Sequence, residues 1–72
     1  GTPPGLEIKW APALSLTGDV GSSYRIEYTG SLGATNAWLN LDVITLTNNP
    51  QIYFDSSAIG QPSRFYRLVK VP

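Results

Sequence analysis

The chain has 72 residues, five Lys and Arg balanced by five Asp and Glu, and neither cysteine nor histidine. That length allows one small domain with a thin core, and the zero formal charge removes the electrostatic basis for binding nucleic acid or an anionic membrane. Without His or Cys there is no Ser-His-Asp or Cys-His nucleophile, no ordinary zinc site and no disulfide, and no apolar run approaches the roughly 20 residues that span a bilayer.

Gly1-Thr2-Pro3-Pro4-Gly5 reads as a linker remnant, so the folded module is expected over residues 6–72, cut from a larger chain. Period-two alternation then dominates. Leu6, Ile8 and Trp10 share one face of a first predicted strand, with Glu7 and Lys9 on the other, and Pro12 ends it. Leu14 and Leu16 mark a second strand, closed by Gly18-Asp19. In the third, Tyr24, Ile26 and Tyr28 alternate with Arg25, Glu27 and Thr29. Gly30 to Asn36 is small and polar and is expected to form a loop. Leu39, Leu41 and Val43 alternate with Trp38, Asn40 and Asp42 on a fourth strand reaching about Leu46.

Asn48-Asn49-Pro50 makes a turn, because Asn tolerates positive φ and proline excludes the helical region for the residue before it. Ile52 and Phe54 mark strand five, and Asp55 to Ser63 is a loop. Arg64 to Val71 is a last strand with apolar groups on both faces, expected to lie centrally between layers. Six short strands separated by turn signals predict an all-β fold, a compact antiparallel β-sandwich.

The stretch Tyr24-Arg25-Ile26-Glu27-Tyr28-Thr29, with Leu32 and Trp38-Leu39-Asn40-Leu41, resembles the middle strands of immunoglobulin-like and fibronectin type III-like domains. Gly60-Gln61-Pro62-Ser63-Arg64-Phe65-Tyr66-Arg67, together with Val43 to Thr47, Pro50 to Tyr53 and Asp55, is similar to the C-terminal β-domain of many secreted multidomain bacterial proteins. Small β-sandwich carbohydrate-binding modules of bacterial endoglucanases are the functional relatives this resemblance suggests. It implies a secreted, non-catalytic module that binds β-glucan and serves a tethered catalytic domain. It also leaves room for a spacer or surface-attachment domain without a small ligand.

Sugar recognition needs flat aromatic faces for the C–H patches of pyranose rings, and amides or carboxylates for the hydroxyls. Two Trp, four Tyr and two Phe are a generous supply for this length. Alternation assigns Tyr24, Tyr28 and Phe54 to the core. It leaves Trp10, Trp38 and Tyr53 as stacking candidates and Asn40, Asp42 and Gln51 as hydroxyl partners. The alternative for Trp38 is packing at the domain edge. Trp10 shares the apolar Leu6/Ile8 face, yet a domain this small does not readily bury two indoles.

Glu7 and Glu27 alternate with Lys9 and Arg25, the pattern of charged decoration on a solvent face, and leave no glycosidase pair. Asp19, Asp42 and Asp55 form no calcium-loop spacing, so neither metal nor cofactor is expected. Arg64 and Arg67 read best as partners of a carboxylate such as Asp55 or as stacking groups on an aromatic ring.

Overall fold

Five strands and one short 3₁₀ turn form in the computed structural model of the chain, which describes residues 1–32 and 37–72. They are β1 (Ala13–Leu16), β2 (Ser23–Thr29), β3 (Leu39–Thr45), β4 (Gln51–Phe54) and β5 (Phe65–Lys70), with the 3₁₀ turn Ser56–Ala58 between β4 and β5. All pairings are antiparallel: β1 with β4 in one sheet, and β3-β2-β5 in the other. The fold is therefore all-β, in two antiparallel sheets.

β2 is the central strand because its two faces match two environments. Tyr24 and Ile26 are buried towards the two-stranded sheet, where they meet Leu16 and Leu46, and Leu14, Leu41, Ile44, Tyr53, Tyr66 and Leu68 pack around these four. β5 has apolar residues on both faces but lies at the sheet edge, pairing with β2 alone. Its inner face carries Tyr66 and Leu68, opposite Tyr28 and Ile26, while Phe65 on its outer face is substantially exposed. The central position expected for this strand thus belongs to β2.

A β-bulge redirects β3. Ile26 pairs with Asp42, but the next residue, Glu27, pairs with Asn40, so Leu41 is an extra residue in the strand. One inserted residue reverses the side-chain parity on either side of it. Leu41 and Ile44 consequently pack on the core, whereas Leu39 and Val43 are half exposed. The uniform apolar face expected along Leu39, Leu41 and Val43 does not form, and Asn40 and Asp42 part company.

The turn between β3 and β4 is braced by the Gln51 side chain. Gln51 Oε1 accepts from Thr47 N at 2.8 Å, Thr47 Oγ1 at 3.2 Å and Asn48 N at 3.4 Å. The Asn49–Pro50 peptide bond is cis, and among the described residues no non-glycine residue has positive φ. Gly18 is required by a close approach: a Cβ there would lie 2.7 Å from the ring and hydroxyl of Tyr24. That hydroxyl accepts from Asp19 N at 2.8 Å, which fixes the turn leaving β1.

Two further expectations need correction. Leu6 to Trp10 forms no strand: the segment is unpaired among the described residues and exposed throughout. Proline at 12 allows the chain to reach β1 extended, but no neighbouring strand takes up the backbone groups before it. Ile52 and Phe54 are exposed, not core. The register Leu14↔Tyr53 and Leu16↔Gln51 turns Tyr53 and Gln51 inward and leaves Ile52 and Phe54 outside with Ser15 and Ala13. The unpaired arm lengthens the molecule: its radius of gyration is 15.3 Å and its longest extent 52 Å, against about 11 Å for the radius of a globular chain of this length.

Candidate functional site

The C-terminal stretch from Gly60 to Arg67 is organised around one buried carboxylate. Asp55 is 1% exposed. Its Oδ1 accepts from Ser57 N at 3.1 Å and from Ser57 Oγ at 2.5 Å, and its Oδ2 accepts from Arg64 Nη1 at 3.0 Å and Tyr66 OH at 2.7 Å. Alternation places Arg64 and Tyr66 on the same face of the chain entering β5, so both reach the carboxylate at once. Arg64 also donates to Ser57 Oγ at 2.9 Å and lies over the Tyr28 ring, 4.2 Å from its centroid.

Burial pushes the Asp55 carboxyl up, but the hydrogen bonds from Ser57 and Tyr66 and the Arg64 guanidinium outweigh it and hold the group below the ordinary aspartate range. The Tyr66 phenol is pushed up to about 12 by burial and by its bond to that carboxylate. Among the described residues no buried side-chain nitrogen or oxygen is left without a hydrogen-bond partner, and these bonds hold the cluster together. The carboxylate pairing read for Arg64 in the sequence is the pairing found.

A second charged row crosses the outer face of the three-stranded sheet. Glu27 receives Arg67 Nε at 2.6 Å and Arg25 Nε at 3.0 Å. The Arg67 hydrogen bond does most to lower the Glu27 pKa; desolvation opposes it, and the charges of both arginines add to it. Glu27 is buried by these neighbours, so its reading as exposed decoration is corrected: two arginines close over it. Arg67 in turn stacks on Trp38, its guanidinium carbon 4.4 Å from the ring centroid.

The six candidate contact residues are accordingly dispersed. Trp38 is half-buried with one indole face taken by Arg67. Tyr53 points inward and donates its hydroxyl to Asp42 Oδ2 at 3.0 Å, tying β4 to the edge of β3. The Tyr53 phenol is pushed up by burial and by that bond. Asp42 also caps the backbone N–H of Val43 at 2.8 Å. Gln51 is spent on its turn, and Asn40 is exposed on the outer face, on the other side of the bulge from Asp42. Only Asp42 and Tyr53 of the six are brought into mutual contact, and that contact is a tie between sheets.

Trp10 is different. Its side chain is 87% exposed, and it rims a shallow cleft of about 350 Å³ shared with Pro12, Gln61, Ser63, Arg64 and Tyr66. The cleft exists because Asp55 N donates to Pro12 O at 3.0 Å, pinning the chain before β1 against the loop after β4. Gln61 and Ser63 add an amide and a hydroxyl to the same cleft. These two partners were not legible as site residues, since they meet Trp10 through a long-range backbone bond that no local spacing encodes.

A second opening of about 370 Å³ lies between β1 and β5 and is lined chiefly by core side chains such as Leu14, Leu16, Ile26 and Leu68. Among the described residues no group of three or more acidic side chains gathers to hold a metal. Asp19 faces Lys70 at 3.7 Å, Asp42 faces Tyr53, and Asp55 faces Arg64. No helix among the described residues is long and apolar enough to cross a membrane. No protein-family model, curated protein or solved structure matches the chain.

Proposed function

We propose that the domain is a non-catalytic carbohydrate-binding module for β-glucan chains, with Trp10 as its stacking residue. The observation that carries the reading is a nearly fully exposed indole at the rim of a cleft that also offers an amide and a hydroxyl. A pyranose ring presents apolar C–H groups to such a face, and Gln61 and Ser63 stand ready for its hydroxyls. The sequence resemblance to endoglucanase modules supports glucan as the ligand class and a secreted parent protein as its setting. One indole over an open cleft leaves much of the sugar solvated, so affinity is expected to be micromolar or weaker. Its use would be to raise the local concentration of polysaccharide around a tethered catalytic domain.

A second reading, a spacer or surface-attachment domain without a small ligand, is favoured by a separate observation. Trp38, Tyr53, Asp42 and Gln51 are all engaged in internal contacts. Native affinity electrophoresis through gels holding barley β-glucan, xyloglucan, xylan or no polymer separates the two. Retardation in a glucan gel that is lost in Trp10→Ala supports the module, and free migration in every gel supports the spacer.

A further inference from the structure

The segment Leu6-Glu7-Ile8-Lys9-Trp10 has the alternation of a half-buried strand but none of the burial. Leu6, Ile8 and Trp10 are 94%, 78% and 87% exposed. Glu7 and Lys9 lie together on the other side, 4.0 Å apart and both well exposed. Pro12 favours extended backbone at Ala11, and the arm's backbone groups are left without a strand partner among the described residues.

The order of residues identifies what they pair with. Laid antiparallel on a second copy of itself and centred on Ile8, the segment sets Ile8 against Ile8, Leu6 against Trp10, and Glu7 against Lys9 at both ends. Every cross-strand pair is then apolar with apolar or acid with base. Shifting the register by two residues in either direction sets Glu7 against Glu7 or Lys9 against Lys9. Shifting it by one sets charged residues against apolar ones. One register alone satisfies both faces, and it is two-fold symmetric, as an isologous contact between identical subunits requires.

We propose that two copies of this chain associate by antiparallel pairing of their Leu6–Trp10 arms about a two-fold axis at Ile8. The partner is a second copy because the charge pattern is complementary to its own reverse. A two-stranded ribbon is marginal by itself, so the dimer is weak and forms with rising protein concentration. The proposal does not depend on sugar binding.

The test is sedimentation equilibrium of the 72-residue chain over a concentration series, with Glu7→Lys, Lys9→Glu, the double swap, and an equimolar mixture of the two single variants. The side chains changed are exposed and lie outside every strand, and circular dichroism verifies that each variant keeps the fold. Wild type is expected to dimerise. Each single variant replaces two attractive pairs with two repulsive ones and should raise the dissociation constant about tenfold or more. The mixture and the double swap should both restore wild-type association, since each rebuilds acid against base.

A wild type that stays monomeric up to its solubility limit overturns the proposal. So does a dimer indifferent to the charge variants, or one that the mixture fails to restore. Retardation of monomeric Lys9→Glu in glucan gels reports the sugar reading separately, because Trp10 is untouched.

Discussion

Replacing Asp55 with alanine should be the most damaging polar substitution in this domain. The change removes an almost completely buried carboxylate and strands the Arg64 guanidinium, the Tyr66 hydroxyl and the Ser57 backbone and side chain that all donate to it. Breaking a buried ion pair by deleting one partner costs about 3–5 kcal/mol. A 72-residue domain has about 4–11 kcal/mol of total stability, so Asp55→Ala should lie at or near the unfolding limit. Asp55→Asn keeps the shape and one good acceptor but loses the charge, and should cost about 1–3 kcal/mol.

Because folded Asp55 titrates below an ordinary aspartate, its carboxylate stabilises the fold at neutral pH. That contribution disappears as pH falls from about 4 through the lower folded value. Urea unfolding followed by tryptophan fluorescence, at pH 7 and again at acid pH, measures all of this. Asp55→Asn should narrow its deficit against wild type as the pH falls. A cost below about 1 kcal/mol for Asp55→Ala, the value of a solvated surface pair, would refute the claim that this carboxylate organises the C-terminal half.

The Tyr66 phenol gives the opposite pH dependence. Its folded pKa is raised to about 12, so the neutral phenol stabilises the fold fully below about 10 and that stability is lost as pH rises towards about 12. Tyr66→Phe should cost about 1 kcal/mol at neutral pH and flatten the alkaline loss, as read from unfolding midpoints across that range. Gly18→Ala should destabilise by about 1–3 kcal/mol, since the new methyl would lie 2.7 Å from the buried Tyr24 ring and hydroxyl and 3.0 Å from buried Leu46, and urea midpoints again report it. Trp10→Ala should leave the unfolding midpoint unchanged, because surface substitutions away from caps and cores fall within about 0.5 kcal/mol.

Strand positions were legible where the alternation was strong. Tyr24-Arg25-Ile26-Glu27-Tyr28-Thr29 reads as a strand and is one, with Tyr24 and Ile26 inward, because hydrophobic period fixes a strand's faces whenever one face is buried. Arg64 reads from the sequence as a partner of a carboxylate such as Asp55 or as a stacking group on an aromatic ring, and it does both, on Asp55 and on Tyr28. Three features lay beyond the sequence pattern. The bulge at Leu41 reverses parity within β3, so Asn40 and Asp42, neighbours by alternation, separate. Ile52 and Phe54 read as core, but the register with β1 turns Tyr53 inward in their place.

The third concerns Leu6 to Trp10, which alternates like a strand yet is unpaired and exposed. Pattern records what a segment is suited to, and burial depends on whether the rest of the chain supplies a partner. The same distinction limits the reading of the site. Alternation reads an aromatic residue on a nominally outer face as available, yet one face of Trp38 is occupied by Arg67, a contact made across strands that no local spacing encodes.

The most direct test of the account is affinity electrophoresis of wild type beside folded Trp10→Ala in barley β-glucan gels, with Trp38→Ala as a third lane. The account predicts that wild type is retarded, that Trp10→Ala runs freely, and that any retardation of Trp38→Ala persists so long as circular dichroism shows it folded. Equal, unretarded migration of all three would contradict a sugar-binding role, and retardation lost only with Trp38 would move the contact to the outer face of the three-stranded sheet.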